Sequence, residues 1–287
     1  MKQIAIVSGK GGTGKSSLAL AFSTLAKNAV IADCDVDASN LHIVLNPTIL
    51  KTEEFIGSKI AHVDKSKCTG CMECYLGCKF DAITKEIEIK ESFCEGCGVC
   101  RLVCPEKAIV MKDRVSGYTY ISKTRFGFLS HAFLKPGAES SGKLVNEVRK
   151  NAIEVSIKNS NDLILIDGPP GIGCPLISTI TGVDLAVVVT EPTFSAIQDL
   201  KRVFEVNKHF GVKSVVCINK SDINAFNASK IREYCALNDI AIIGELPYDP
   251  IVNSAIVSRK TLLEVSDSPL SSKIIKIWKK ILDEIDG

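Results

Sequence analysis

Eight of the twelve cysteines in this 287-residue chain lie between Cys68 and Cys104, and they repeat one spacing twice. Each copy reads C-x2-C-x2-C-x3-C, and the second follows the first at an offset of 26 positions. The two sets are Cys68, Cys71, Cys74 and Cys78, then Cys94, Cys97, Cys100 and Cys104. The offset extends beyond the cysteines, because Ala82-Ile83 recurs as Ala108-Ile109. This stretch is therefore predicted to be an internal duplication arranged around eight thiols.

The cellular compartment decides what so many thiols can do. Secreted proteins use them as disulfides, but this sequence begins Met1-Lys2-Gln3 and enters an apolar run without a signal-peptide pattern. No apolar run approaches the roughly 20 residues that span a membrane. We therefore expect a cytoplasmic protein whose thiols bind metal in a reducing environment. A net charge of +2 gives no indication of nucleic-acid binding.

Apolar runs alternate with helical patterns on both sides of the cysteine-rich stretch. Strands are predicted at residues 2–8, 29–35, 163–167, 185–189, 214–219 and 240–247. Helices are predicted at about 16–27, 141–158 and 194–209, with another before residue 240 and two at the C-terminal end. Strands that are apolar on both faces and separated by helices predict an α/β fold with a doubly wound, mostly parallel sheet. Residues 118–128 alternate aromatic and polar side chains, which predicts an antiparallel strand or hairpin.

The first predicted strand leads into a glycine-rich loop. Residues 9–16 read GKGGTGKS and match G-x4-G-K-[ST] between a predicted strand and a predicted helix, the context in which this motif binds phosphate. Backbone N–H groups of such a loop surround phosphate oxygens, and the helix N-terminus adds positive potential. Lys15 is expected to reach the β- and γ-phosphates of ATP, and the Ser16 hydroxyl to bind Mg²⁺. The residues expected to bind nucleotide here are Gly9, Lys10, Gly11, Gly12, Thr13, Gly14, Lys15, Ser16 and Ser17.

The extra lysine of the loop, Lys10, makes it resemble the loop K-G-G-x-G-K-[ST] of the MinD/ParA-type ATPases and the nitrogenase iron protein. In those families this lysine reaches across a dimer to the partner's nucleotide. The resemblance therefore implies ATP hydrolysis by a homodimer, or by a heterodimer with a paralogue. It implies catalytic roles for Lys10, Lys15 and Asp35. The adenine contacts that it implies are Asn219, Lys220 and Pro247.

Two acidic segments also match that family. Asp35 follows the second predicted strand, where the family has the residue that orients the attacking water. Asp167 begins the sequence D-G-P-P-G, where the family's aspartate supports magnesium through water. The magnesium residues implied by the resemblance are Ser16, Asp35 and Asp167. Alternatively, Asp33, Asp35 and Asp37 only cap a turn, an interpretation that we prefer for Asp37.

The doubled cysteine spacing resembles the bacterial two-cluster ferredoxins, in which four thiolates hold each 4Fe–4S cluster and the fourth cysteine of each run serves the other cluster. The resemblance implies one cluster on Cys68, Cys71, Cys74 and Cys104, and a second on Cys78, Cys94, Cys97 and Cys100. Pro105 follows the last cysteine as in that pattern, whereas Lys79 stands where the first copy would have proline. Two zinc sites are the alternative, because CxxC pairs also bind zinc. We expect residues 56–115 to be an inserted ferredoxin domain and residues 1–55 and 116–287 to form a P-loop ATPase domain.

The other four cysteines are isolated in the sequence. Cys34, Cys217 and Cys235 are expected to be small core residues. Cys174 lies seven residues after Asp167, the spacing of a cluster ligand in the nitrogenase iron protein. It is expected to be a packed or weakly functional thiol or, alternatively, a ligand. The last helical stretch is predicted to pack on the sheet, with a membrane anchor like that of MinD as the alternative. Its apolar residues at helical spacing are Ile274, Ile277, Trp278, Ile281, Leu282 and Ile285.

Over nearly its whole length the chain resembles MinD-superfamily ATPases that contain an inserted ferredoxin domain. The first hypothesis is an ATP-gated electron carrier, in which ATP binding closes a dimer through Lys10 and the insert passes electrons to a partner metalloprotein. The second is a maturation ATPase that assembles or delivers iron–sulfur clusters, as Mrp-type carriers do. A third is spatial positioning through the last helix, which would give the cysteine-rich stretch no role.

Overall fold

The computed structural model describes residues 1–138, 142–265 and 267–286, and the chain divides into two compact units. The undescribed positions apart, the first unit comprises Met1–Glu53, Thr119–Phe133 and Ser140–Gly287. The second unit comprises Glu54–Tyr118 and Leu134–Glu139. The residues expected to form an insert, 56–115, all fall within the second unit.

The strands and helices follow one another along the chain in the alternation expected of an α/β protein. The strands are β1 (Lys2–Ser8), β2 (Ala29–Asp33), β3 (Thr48–Val63), β4 (Ile109–Thr124), β5 (Gly127–Leu134), β6 (Leu163–Pro170), β7 (Leu185–Thr190), β8 (Ser214–Ile218) and β9 (Ile242–Glu245). The helices are α1 (Lys15–Leu25), α2 (Leu41–Leu45), α3 (Glu73–Gly77), α4 (Val99–Val103), α5 (Gly142–Asn159), α6 (Cys174–Ile180), α7 (Phe194–His209), α8 (Ala225–Leu237), α9 (Ile251–Val257), α10 (Leu262–Val265) and α11 (Pro269–Asp286).

The strands of the first unit form a sheet in the order β5-β2-β6-β1-β7-β8-β9. Neighbouring strands run parallel from β5 to β9, and β1 at the centre is buried from Ile4 to Ser8. The prediction of an α/β fold with a mostly parallel sheet is confirmed. Because parallel strands end at a common edge, Asp33 at the end of β2 lies in register with Asp167 on β6.

The last helix, α11, packs on this sheet, as the spacing of its apolar residues predicted. Trp278 lies with its ring 5.3 Å from that of Phe22 on α1, and Ile281 has no exposed surface. Leu282 differs from the prediction because 37% of its surface is exposed. Among the described residues, no helix is both long enough and apolar enough to span a bilayer.

The second unit repeats its own structure at the offset of the cysteines. Helices α3 and α4 occupy equivalent positions in the two copies. The Asp64 amide donates to the Ala108 carbonyl at 2.7 Å, and the Lys90 amide donates to the Ala82 carbonyl at 2.8 Å. Both residues of the second bond are offset by 26 positions from their counterparts in the first, with the roles of the copies exchanged. The two copies are therefore joined reciprocally, as in a two-fold arrangement.

Several elements differ from the sequence prediction. No strand was predicted at β3, where only Phe55 and Ala61 are buried, so that no alternation of apolar and polar residues marks it. The hairpin predicted at 118–128 is confirmed, because β4 ends at Thr124, β5 begins at Gly127 and the two strands are neighbours in the sheet. The helix predicted from residue 141 is α5, and residue 141 itself lies outside the described residues. The C-terminal end has three described helices after β9 instead of two.

A cluster of stacked histidines and aromatic rings fills the core beside β5. His42 and His131 lie with their ring centroids 6.1 Å apart and nearly parallel, and Tyr120 stacks on His131 at 5.1 Å. His131 is 2% exposed, its Nε2 lies 3.1 Å from the Ser122 hydroxyl, and its Nδ1 has no hydrogen-bond partner in the described part of the chain. Burial lowers the pKa of the His131 imidazole to about 4, and His42 adds to this effect. His131 is therefore neutral in the folded chain at neutral pH.

Replacing Ile281 by Ala should destabilise the fold, whereas replacing its neighbour Leu282 should not. Ile281 is fully buried in the core between α11 and the sheet, so its truncation leaves a cavity. We expect Ile281→Ala to lower the free energy of unfolding by about 2–5 kcal/mol and Leu282→Ala by less than about 1 kcal/mol. Urea unfolding of both variants measures this difference. Equal losses would contradict the packing of α11 described above.

Protonation of His131 should make the fold less stable in mild acid. The unfolded imidazole has a pKa of about 6.5 and the folded one a pKa of about 4, so the unfolded state binds more protons between these values. The contribution of the neutral His131 to the free energy of unfolding is fully present above about pH 6.5. It falls as the pH drops towards 4, by up to about 1.4 kcal/mol per pH unit. Because glutamine cannot take up this proton, His131→Gln should remove this part of the slope.

Urea titrations at several pH values between these limits check the prediction. His209→Gln, which replaces an exposed histidine, is the matched control. An unchanged slope in His131→Gln would show that the buried imidazole does not titrate in this way.

Candidate functional site

The glycine-rich loop joins the end of β1 to the start of α1 and turns through left-handed backbone at Gly12 (φ 82°) and Gly14 (φ 91°). A side chain at Gly14 would collide with the amide of Asn219. That amide donates a hydrogen bond of 2.8 Å to the Thr13 carbonyl and so fixes the loop from the end of β8. The close approach explains why glycine is needed at this position.

A cavity of about 460 Å³ opens above this loop, which is within the range of small-ligand sites. The loop from Lys10 to Ser17 forms one wall, and the segment from Leu246 to Asp249 forms another. Apolar side chains complete the lining at one end: Val252, Leu262, Leu270 and Ile274. The cavity thus combines a polar cradle of backbone N–H groups with an apolar region, which suits a molecule with a phosphate chain and a flat base.

Lys15 is the buried cation of the cavity. Its Nζ lies 2.8 Å from Asp167 Oδ1, 3.5 Å from Asp35 Oδ2 and 3.2 Å from the Ser16 hydroxyl. Burial acts to lower the pKa of Lys15, but the negative charges of Asp167 and then Asp35 outweigh it and raise the pKa. The pKa of Asp35 is raised, mainly by burial, with Lys15 opposing the shift. Ser16, Asp35 and Asp167 are therefore brought together around the ammonium group of Lys15.

The same residues fit a magnesium ion. Asp167 is fully buried, and its Oδ2 has no hydrogen-bond partner among the described residues, so this oxygen is available to a cation or its water. The Asp35 carboxylate and the Ser16 hydroxyl face the same group, Lys15. Carboxylate and hydroxyl oxygens are the hard ligands that Mg²⁺ prefers. Ser16, Asp35 and Asp167 could thus hold the ion beside a nucleotide, and their role stays a prediction.

Asp33, for which turn capping was the alternative interpretation, is a fully buried residue of the site. Burial raises the pKa of this carboxyl to about 7, and the charge of Asp167 adds to the effect. Its Oδ1 accepts a hydrogen bond from the Asp35 amide at 3.3 Å, while its Oδ2 accepts from the Ser39 hydroxyl at 2.8 Å and the Leu41 amide at 3.3 Å. The turn-capping interpretation therefore describes Asp33, which holds Asp35 in place.

Lys10, the extra lysine of the loop, is bound by its own chain. Its Nζ lies 2.7 Å from Glu191 Oε1, 3.0 Å from the Thr193 hydroxyl and 3.3 Å from the Ser195 hydroxyl. Glu191 also binds Lys220 at 2.9 Å, and these two lysines outweigh burial and lower the pKa of the Glu191 carboxyl. The sequence analysis missed Glu191, although a charged residue directly after the fully buried strand β7 was a possible signal.

The predicted adenine contacts all line the cavity, but they act in different ways. Asn219 binds the loop through Thr13, and Lys220 donates to the Gly12 carbonyl at 2.8 Å, so both support the loop. Pro247 lies in the wall formed by the segment after β9. Of the three, Pro247 has the position that best suits a contact with a base.

Two further cavities lie in the second unit, and each is lined by four cysteines. One is lined by Cys68, Cys71, Cys74 and Cys104, and the other by Cys78, Cys94, Cys97 and Cys100. In each set the fourth cysteine of one copy joins the first three of the other copy. Burial raises the pKa of the thiols of Cys74 and Cys100, and the neighbouring cysteines raise them further. Within the described ranges, no three His, Cys, Asp or Glu side chains form a site for a single metal ion.

The surroundings of the thiols fit a group that binds thiolates. The Ala108 amide donates to Cys104 Sγ at 3.3 Å, and apolar side chains such as Ile83 and Ile109 pack around the cysteines. Left-handed residues precede α3 and α4, namely Met72 (φ 67°) and Gly98 (φ 79°). Backbone donors and an apolar shell are the features that tune iron–sulfur sites, and a bound metal also removes the thiol protons.

The four remaining cysteines comprise three buried thiols and one exposed thiol. Cys34, Cys217 and Cys235 have no exposed surface, which confirms their prediction as core residues. Cys174 is exposed and begins α6. It is therefore not a packed thiol, and the prediction of packing at this position is wrong because α6 presents its first turn at the surface.

Comparisons with known proteins agree with this site. Residues 4–262 match the family described as the CobQ/CobB/MinD/ParA nucleotide binding domain. An uncharacterized protein of Methanocaldococcus jannaschii is 36% identical over 286 residues, which cover 99% of this chain and 97% of that protein. The cytosolic Fe-S cluster assembly factor NBP35 of Eremothecium gossypii is 24% identical over 55% of this chain and 54% of its own length. The structure of the septum site-determining protein MinD of Pyrococcus horikoshii with Mg-ADP has a TM-score of 0.60 at 19% identity, covering 100% of this chain and 97% of that one.

Removing the ammonium group of Lys15 should abolish most nucleotide hydrolysis. Lys15→Gln leaves the two carboxylates of Asp35 and Asp167 without their buried cation and removes a donor to the phosphates. We expect the rate of phosphate release from ATP to fall roughly 100-fold or more. Lys213→Gln, which breaks a surface ion pair with Glu284, is the control and should hydrolyse ATP normally. Hydrolysis by Lys15→Gln at the normal rate would exclude this lysine from catalysis.

Proposed function

The chain belongs to the CobQ/CobB/MinD/ParA nucleotide-binding family and is a P-loop ATPase, and from this premise we propose that it couples ATP hydrolysis to electron transfer through two 4Fe–4S clusters. The observation that carries the proposal is the pairing of one phosphate-binding cavity with two four-cysteine cavities on a single chain. The proposed cofactors are ATP, Mg²⁺ and the two clusters. The proposed partner is a redox metalloprotein in the cytoplasm.

The ATP half of the proposal follows from the groups around Lys15. The N–H groups of the loop bind the phosphates, and Lys15 moves from its carboxylate partners to the β- and γ-phosphate oxygens when the nucleotide enters. Asp35 then faces the γ-phosphate and orients a water molecule for attack. The pKa of Asp35 is raised by burial, which makes this carboxyl a better proton acceptor than an exposed aspartate.

The redox half follows from the grouping of the thiols. The first cavity has three cysteines of the first copy and Cys104 of the second, and the other cavity has Cys78 of the first copy with three of the second. Four thiolates in an apolar shell with backbone N–H donors are what a 4Fe–4S cluster requires. Such a cluster, when bound, accepts and releases single electrons. The reciprocal hydrogen bonds between the two copies hold the sites near one another, which favours passage of an electron between them.

The coupling proposed here requires ATP to favour one conformation over another. Lys10 is held by Glu191, Thr193 and Ser195 of its own chain, so it must leave these partners before it can bind a nucleotide in another subunit. Dimer formation, with a second copy or a paralogue, would supply the second conformation, in which Lys10 binds the nucleotide of the other subunit. The chain enters the second unit through β3, which begins at Thr48 shortly after α2, and leaves it through β4. Movement next to the nucleotide can therefore be passed along the backbone.

The alternative function is assembly or delivery of iron–sulfur clusters. It is favoured by the similarity to NBP35, a protein named as a cytosolic Fe-S cluster assembly factor. The two functions differ in what leaves the protein, because delivery removes iron and sulfide whereas electron transfer leaves them bound. Incubating the cluster-loaded protein with ATP and an apo-ferredoxin distinguishes them. Iron that stays on this chain while electrons leave it excludes delivery.

Redox titration in the presence of different nucleotides tests the coupling. If a nucleotide binds the oxidised and reduced forms with different affinity, then the midpoint potential must shift by about 59 mV for each tenfold difference. We expect the potential measured by electron paramagnetic resonance to differ between ADP and a non-hydrolysable ATP analogue. We expect Lys15→Gln to show no such difference. Identical potentials and identical oxidation rates in all nucleotide states would end the proposal.

Metal analysis of cysteine variants tests the grouping of the thiols. Cys104→Ala and Cys78→Ala should each lose roughly half of the bound iron, because each removes one ligand of one cluster. Their electron paramagnetic resonance spectra should retain different single clusters. Cys174→Ala is the matched control, since this exposed cysteine lies outside both cavities, and it should keep all the iron. Zinc in place of iron in the anaerobically purified protein would support the zinc alternative instead.

A further inference from the structure

Helix α2 follows the loop at residues 34–40, which carries Asp35, and precedes β3. Charged side chains hold both ends of this helix. The loop before it contributes Ala38 and Asn40 to the wall of the nucleotide cavity. At the N-terminal end, Asp33 Oδ2 accepts a hydrogen bond from the Leu41 amide at 3.3 Å. The other oxygen of Asp33 accepts from the Asp35 amide at 3.3 Å. One buried carboxylate thus joins the start of α2 to the aspartate that faces Lys15.

Arg125 binds the other end of α2. Its Nη1 donates to the carbonyls of Val44 and Leu45, at 3.0 and 3.1 Å, and so satisfies two of the carbonyl groups that a helix leaves unpaired at its C-terminus. Its positive charge also lies at the negative end of the helix dipole. The helix closes at Asn46, a left-handed residue (φ 45°) whose amide donates to the carbonyl of His42.

The guanidinium of Arg125 is itself fixed by its other neighbours. Its Nε and Nη2 donate to the two oxygens of Glu264 at 2.8 Å each, and its plane lies 4.7 Å from the ring of Phe126. Glu264 in turn accepts from the Thr261 amide at 2.7 Å. Arg125 is thus a two-sided clamp between α2 and α10, and a lysine could not make the same set of parallel bonds.

The short length of α2 makes these end contacts decisive. A helix of five residues has few hydrogen bonds of its own, so its position depends on its caps and on packing. Leu41, Val44 and Leu45 bury its apolar face, which keeps the helix on the sheet but does not fix its shift along its own axis. Asp33 at one end and Arg125 at the other fix the position of α2 along its axis. This position determines where Oδ1 of Asp33 meets the Asp35 amide.

We propose that Arg125 is a positioning residue for ATP hydrolysis, which acts through α2 and Asp33 on the placement of Asp35. Arg125 does not line the nucleotide cavity, so its loss removes no direct contact with a bound nucleotide. The turnover of bound ATP should therefore fall while the affinity for ATP stays constant. The proposal rests on the ATPase activity alone and is independent of electron transfer.

Steady-state kinetics of Arg125→Ala test the proposal. We expect kcat to fall roughly tenfold or more, since a displacement of about 1 Å of a catalytic group can cost this much, with KM and the dissociation constant of a non-hydrolysable ATP analogue within about twofold of normal. Arg125→Lys should recover part of kcat by donating to one carbonyl. Hydrogen exchange of the amides between Ile43 and Asn46 should be faster in Arg125→Ala.

The matched control is Arg232→Ala, which breaks the other two-bonded arginine–glutamate pair of the first unit, that with Glu245. It should leave kcat and the exchange of α2 unchanged. Unchanged kcat in Arg125→Ala would overturn the proposal, and so would equal losses of kcat and ATP affinity. If Arg125→Ala fails to fold, then Arg125→Lys and Glu264→Gln decide in the same assay. Lower kcat at constant affinity in these variants supports the proposal, and normal kcat in both overturns it.

Discussion

The buried ion pair between Lys15 and Asp167 is the interaction on which the nucleotide site depends. Parallel pairing of β2 with β6 brings Asp33 and Asp167 into register at the end of the sheet, where both are fully buried. Carboxylates in such a position are costly unless a cation lies among them. Lys15 supplies that charge at 2.8 Å from Asp167 and 3.5 Å from Asp35. The carboxylates at the end of the sheet therefore anchor the glycine-rich loop through Lys15.

The second unit solves a different problem with an internal symmetry. Each short helix carries one cysteine of its copy, Cys74 on α3 and Cys100 on α4, and the reciprocal hydrogen bonds of Asp64 and Lys90 join the copies. Exchange of the last cysteine, Cys78 or Cys104, completes each set and makes the two sites depend on one another. Loss of one copy would thus disturb both.

Helix α2 lies in the chain between the loop that carries Asp35 and strand β3. Asp33 joins the start of this helix to the loop that carries Asp35, and Arg125 holds the end of the helix. Strand β3 begins three residues after α2 ends. β4 ends at Thr124, immediately before Arg125. The strands that lead into and out of the second unit therefore both connect to the clamp on α2.

The sequence by itself determined the parallel sheet, the loop from Gly9 to Ser16 and the division of the eight cysteines into two copies of one spacing. It could do so because periodicity and spacing are local properties. It did not indicate β3, whose side chains are mostly exposed and so follow no burial pattern. Nor did it indicate Glu191 or Arg125, whose partners are distant along the chain. Their roles depend on which charges the folded sheet brings within hydrogen-bonding distance. Only the tertiary structure decides these roles, because burial sets how strongly two charges interact and packing sets which charges are neighbours.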